Sequence, residues 1–244
     1  MIRLIFAAIF VVLFLLLSYP IFLIEWIVGK INKTAKDYSC LRIVQWASRI
    51  VLWISGTKIT VIGKENIPDE TALFVANHRS FFDILTLFVQ CECLTGFVAK
   101  DSLEKIPSFR IWMRLLYCLF LNRKDIKQGM KIILQAIEYV KQGISICIFP
   151  EGTRNTGEEL SILPFKEGSF KIALKTGCPI VPVAINNTAA VFENHLPWLK
   201  KTHVIVEYGK PVYPNDLSKE EQKGIGATCQ HIIQETIQKN AALL

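Results

Sequence analysis

The sequence has no Gly-x-Ser-x-Gly, no His-Glu-x-x-His and no Gly-x4-Gly-Lys-Ser/Thr. These absences argue against a serine lipase built on a nucleophile elbow, a zinc protease of the two-histidine type and a P-loop nucleotide site. Gly224-x-Gly226 lacks a third glycine and a preceding strand, so it makes no dinucleotide site. The seven cysteines are odd in number and form no Cys-x-x-Cys pair. They therefore suit neither a disulfide scaffold nor a zinc site, and fit a reducing compartment. There is no internal repeat, no low-complexity tract and no long Lys/Arg run, so the net charge of +7 does not point to nucleic acid.

What is present is one long apolar segment. Leu4 to Ile24 holds 19 apolar residues out of 21, enough to cross a bilayer. The rest of the chain is about 47% apolar, ordinary for a globular domain. That distribution excludes a disordered chain and a polytopic membrane protein. The segment exceeds the core of a secretory signal and lacks an Ala-x-Ala site, so it is expected to stay as an anchor. Lys30, Lys33, Lys36 and Arg42 follow it and only Arg3 precedes it, which places the domain on the cytoplasmic side. Pro20 leaves a re-entrant or in-plane helix open. In Leu41 to Ile54, Arg42, Gln45 and Arg49 share one helical face and Trp46 and Trp53 another, a pattern suited to a headgroup layer or to a surface helix packed on the core. The expected organisation is a membrane anchor with an interfacial helix over residues 1–56, then an α/β domain over 57–244.

Within that domain, Thr57–Ile62, Ala72–Ala76, Gly96–Ala99, Tyr117–Leu121, Ile144–Phe149, Pro179–Ile185 and His203–Tyr208 read as strands. Helices are expected from Ser80, over Ile126–Gln142, Glu167–Lys175 and Lys219–Lys239. The alternation predicts an α/β fold, a central mixed sheet layered by helices, with the ligand beyond the strand ends.

Two polar motifs fall at such ends. The first is Asn77-His78-Arg79-Ser80-Phe81-Phe82-Asp83. On one helix, residues five apart diverge by about 140°, so His78 and Asp83 meet only if His78 sits in the turn before the helix. Asp83 would then hold one ring nitrogen and leave the other free as a base. Alternatively, Ser80 and Asp83 form a capping box and need no histidine. The second motif is Phe149-Pro150-Glu151-Gly152-Thr153-Arg154-Asn155, whose glycine and guanidinium suit an oxyanion or phosphate; a solvated turn has the same composition. His195, His203 and His231 read as structural.

In this order and about 70 residues apart, the two motifs resemble the catalytic and third blocks of the glycerolipid acyltransferase family. Gly96 to Lys100, Ile106-Pro107 and Phe120-Leu121-Asn122-Arg123 resemble its second block, and Val181-Pro182-Val183-Ala184-Ile185 its fourth. Phe109-Arg110 departs from the glycine relatives often carry there. The resemblance implies that His78 takes the proton from a glycerol hydroxyl as it attacks an acyl thioester, with Asp83 orienting the ring and no covalent acyl-enzyme. It further implies that Lys100, Arg123 and Arg154 bind the acceptor phosphate, that Glu151, Gly152 and Thr153 shape the acceptor site with Lys166 nearby, and that backbone N–H groups of these loops hold the oxyanion. The implied reaction needs no metal or organic cofactor. Its donor is acyl-CoA or acyl carrier protein, its acceptor lysophosphatidate and its setting membrane lipid. Another acceptor, such as glycerol-3-phosphate, and a non-catalytic membrane scaffold are the alternatives.

Overall fold

The computed structural model describes residues 2–122 and 125–244. Helix α1 (Ile2–Ile31) runs unbroken through Pro20. Asn32 caps the next helix, α2 (Lys33–Ser55), by accepting from the Ala35 N–H, and Gly56 ends it in the left-handed region at φ 77°. The two helices form an antiparallel hairpin. Arg3 donates to the Ser55 carbonyl at one end, Phe10 packs edge-on against Trp46 in the middle, and Ser39 donates to Glu25 toward the other end.

The remaining elements are β1 (Thr57–Ile62), β2 (Leu73–Ala76), α3 (Phe81–Phe88), β3 (Thr95–Lys100), α4 (Pro107–Leu115), β4 (Leu119–Leu121), α5 (Ile126–Lys141), β5 (Ser145–Ile148), α6 (Lys171–Thr176), β6 (Ile180–Asn186), β7 (Thr202–Tyr208), α7 (Lys219–Lys223) and α8 (Ile225–Asn240). The strands form one sheet in the order β1-β7-β6-β2-β5-β3-β4. It is mixed: β6 and β7 are antiparallel and every other pairing is parallel. The first residues of β1 and β7 therefore share an edge with the last residues of β2, β5 and β6. β2, β5 and β6 are buried along their whole length, so their apolar residues fill two cores. Phe74, Val183 and Val206 face α3, α4 and the hairpin; Val75, Ile146 and Ile180 face α5, α6 and α8.

Several expectations change. The face of α2 bearing Arg42, Gln45 and Arg49 packs on the end of α3 through Gln45 at its centre, while both arginines stay exposed. Gln45 is fully buried and donates to the Phe88 and Cys91 carbonyls, Arg49 donates to Val89, and Arg42 donates to Gln45. The carbonyls ending α3 need donors, and these side chains supply them. Trp46 and Trp53 stand outward, 54% and 80% exposed. α4 was not expected; Pro107 starts it, and Trp112 locks it to α1 by donating to the Ser18 hydroxyl while its ring meets Phe14 and Phe22. Tyr117 is not in a strand but in the left-handed region at φ 60°. The expected 167–175 helix begins as a 3-10 turn, and the last helix is divided at Gly224.

Gly96 is required by this packing. A Cβ there would stand 2.3 Å from the Tyr117 carbonyl oxygen, a contact with backbone that cannot give way. Gly96→Ala is expected to lower stability by about 3 kcal/mol or more, as overpacking does. An unchanged urea midpoint would contradict the contact.

Candidate active site

His78 lies in the turn between β2 and α3, and Asp83 in the first turn of α3. This is the one arrangement in which the pair can meet. His78 Nδ1 is 2.8 Å from Asp83 Oδ2. The same Oδ2 accepts from the backbone N–H of Arg79 at 2.6 Å and of Ser80 at 2.8 Å. The Ser80 hydroxyl accepts from the Phe82 N–H, completing the capping box. Cap and histidine contact are thus one structure, because a carboxylate can accept several donors at once. With Nδ1 facing an acceptor, it carries the proton and Nε2 is the unoccupied acceptor. The ring stacks on Phe149, centroids 4.2 Å apart, and is nearly buried.

The other motifs clamp this turn. Asn77 donates to and accepts from Ile185 of β6, at 2.9 and 2.8 Å. The His78 N–H donates to Glu151 Oε1 at 2.6 Å, and the His78 carbonyl accepts from the Asn155 N–H at 2.7 Å. Glu151 Oε2 accepts from Leu163. Glu151 thus shapes the site by holding backbone, away from the cavity lining. Burial pushes its carboxyl above the ordinary 4.5, against the two N–H bonds from Leu163 and His78. A raised folded-state value means that charging Glu151 weakens the fold as pH rises through that value. Glu151→Gln should flatten the stability–pH curve just above pH 4.5. It should also turn an N–H donor toward His78 or Leu163 and cost about 1–3 kcal/mol. A pH-stability curve identical to the parent's would contradict this role.

A cavity of about 790 Å³ opens at His78 and extends between α5 and α6. Val98, Ile133, Ala136, Ile137, Ile148 and Ile172 form an apolar lining, and Lys100, Arg154, Lys166, Lys171 and Lys175 supply cations against one carboxylate among the described residues, Asp125. Gly152 and Thr153 line it too. Gly152 has φ 70°, a left-handed conformation that favours glycine, and the mobile end of Lys166 lies over it, with Nζ 2.6 Å from where a Cβ would be. Arg123 lies outside the described residues.

A family model described as acyltransferase matches residues 58–186, which include every clamp just described. The chain belongs to the acyltransferase family. Curated relatives of this acyltransferase include a 1-acyl-sn-glycerol-3-phosphate acyltransferase from Borreliella burgdorferi, 40% identical over 59% of this chain and 57% of its own. One of the same name from Saccharomyces cerevisiae is 32% identical over 68% of this chain and 55% of its own. The match thus spans little more than half the length of these relatives. The crystal structure of the 1-acyl-sn-glycerophosphate (LPA) acyltransferase PlsC from Thermotoga maritima has the same fold, with a TM-score of 0.74, 24% identity and coverage of 97% of this chain and 98% of that one.

Two residues of the acyltransferase site were missed in the sequence. The Thr188 hydroxyl donates to Asp83 Oδ1, filling the second oxygen. Glu193 accepts from the Ser80 hydroxyl, the Phe81 N–H at 2.8 Å and Arg154 at 3.0 Å. Arg154 also lies over the Phe81 ring. Thr188 stands three residues after the fourth block, the sole local signal for it; Glu193 had none. Arg79 is buried and holds the Gly157 and Glu158 carbonyls. The oxyanion donors expected in these loops are largely spoken for: the amides of residues 79–82, 152 and 155 all have partners. His203 bonds Thr60, and His231 pairs with Glu235, away from the site. Burial pushes the Cys91 and Cys118 thiols up to about 12 and 11, which leaves them protonated and unreactive at neutral pH.

Proposed function

We propose that this acyltransferase moves a fatty acyl group from a thioester donor, acyl-CoA or acyl carrier protein, to the free sn-2 hydroxyl of lysophosphatidate, forming phosphatidate. The supporting observation is the His78–Asp83 pair at the mouth of a cavity that is apolar inside and cationic at its rim. His78 Nε2 takes the hydroxyl proton as the oxygen attacks the thioester carbonyl. The C–S bond then breaks, and the thiolate leaves with the proton from His78. Asp83 orients the ring and stabilises its charged form. The Thr153 and Arg154 N–H groups of this loop suit the oxyanion. The apolar lining suits an acyl chain; Lys100, Arg154 and Lys166 suit the acceptor phosphate. No metal or organic cofactor is assigned a step.

The hairpin supplies the membrane reading. α1 is long and apolar enough to cross a bilayer. It is, however, bound along its length to α2, which carries Lys33, Lys36, Asp37, Arg42 and Arg49. Crossing would carry those charges into hydrocarbon, at high cost. We therefore place α1 along one leaflet, with Leu16, Leu17, Leu23, Trp46 and Trp53 outward. Seven free cysteines suit the cytoplasmic side. The test is transfer from labelled donors to a panel of acceptors. Lysophosphatidate should be preferred over glycerol-3-phosphate and over phosphate-free monoacylglycerol; no transfer to any acceptor would favour the scaffold reading.

A further inference from the structure

The loop between β6 and β7 has an inner and an outer side of opposite character. Its base is closed where the Lys200 N–H donates to the Val191 carbonyl at 3.0 Å and the Thr202 hydroxyl donates to Ala190 at 3.1 Å. Inside, Val191 and Leu199 are buried, and Glu193 binds Ser80, Phe81 and Arg154 at the catalytic turn. Outside, Leu196 is 62% and Trp198 44% exposed. Lys200 and Lys201 follow, both exposed.

This tip is continuous with the hairpin. A Cβ on Gly56 would stand 2.7 Å from Lys201 Cγ and 3.1 Å from Arg3 Nη1, so the loop abuts the point where α1 begins and α2 ends. Trp53, the most exposed tryptophan, lies one turn before that point. The loop thus runs from Glu193, bound to Phe81 and Arg154 at the cavity, through exposed Leu196 and Trp198, to Lys201 beside Gly56 and Arg3. A leucine and a tryptophan beside two lysines match what an anionic bilayer surface binds: rings at headgroup depth and cations on acidic lipid.

We propose that the Glu193–Lys201 loop is a second membrane-contact element, seated on an anionic bilayer between the hairpin and the cavity mouth, where it forms the lip over which the lysolipid enters. Through Glu193 the same loop holds Arg154 at that lip. The proposal rests on the membrane reading of the hairpin.

The test uses the full chain with Leu196→Ser and Trp198→Ser together, and vesicles of phosphatidylglycerol and phosphatidylcholine. Vesicle binding is read by sedimentation, and transfer is assayed with lysophosphatidate either in the vesicles or dispersed in detergent. The expected result is vesicle affinity lowered about 10-fold or more, with a comparable rise in KM for vesicle-borne acceptor. Activity on dispersed acceptor should stay within about two-fold of the parent. In the parent, brominated phospholipid should quench an emission component that Trp198→Phe removes. Unchanged vesicle affinity, or no Trp198 component in the quenching, would overturn the proposal. Equal losses in vesicles and in detergent would assign the loop to folding of the site and also overturn it. Failure of the parent itself to sediment would instead overturn the hairpin reading, and the loop proposal with it.

Discussion

His78→Ala is expected to lower kcat by about 10²–10⁴-fold while leaving the KM for lysophosphatidate nearly unchanged, because a positioned base acts on the transition state. Asp83→Asn should come close to it. The asparagine can present its oxygen to His78, Arg79 and Ser80 and its amide nitrogen to Thr188, whose hydroxyl can turn to accept. The chain should therefore still fold, with a melting temperature close to the parent's, yet lack the negative charge that stabilises the imidazolium. Thr188→Val should act in the same direction but more weakly, since it removes one donor and leaves the charge. Single-turnover transfer from labelled donor separates this chemistry from product release. Parent-like turnover in His78→Ala would sink the base assignment outright.

Arg154→Ala is expected to raise the KM for lysophosphatidate by about 10- to 100-fold, the loss of one or two charge-assisted hydrogen bonds to phosphate. Transfer to a phosphate-free monoacylglycerol should change far less, and that contrast is the decisive measurement. Arg154 is held by Glu193 at 3.0 Å, but its side chain is 43% exposed, so the pair is screened and weak. A phosphate can share the guanidinium fork without breaking an expensive contact. Arg154→Lys should be intermediate, because it keeps the charge and loses the fork. Equal loss on both acceptors would move the phosphate role to Lys100 or Lys166, which line the same cavity.

The sequence was most legible where burial is local and one-dimensional. The apolar runs at Ala72–Ala76, Ile144–Phe149 and Pro179–Ile185 mark strands buried on both faces, and they lie where β2, β5 and β6 stand. α4 escaped because it is only nine residues long, although its arginines and its apolar residues fall on separate faces; it is held by α1, which packs on it from far away in the chain. The two faces of α2 were legible, but the burial of Gln45 was not, for a related reason. A helix periodicity separates two faces but does not say what docks on them, and the carbonyls ending α3 drew Gln45 inward between two exposed arginines.

By itself, the sequence determined the apolar helix, the alternation of strands and helices, and the placement of His78 and Asp83 in one turn, since each depends on residues close in the chain. Tertiary structure alone decided that Glu151 holds the His78 backbone, that Thr188 and Glu193 belong to the site, and that α1 lies along α2. Those contacts join residues 73 to 113 apart in the site and 14 to 52 apart in the hairpin. They follow from β2 lying between β5 and β6, an order set by how the whole sheet buries its two faces and written in no local pattern.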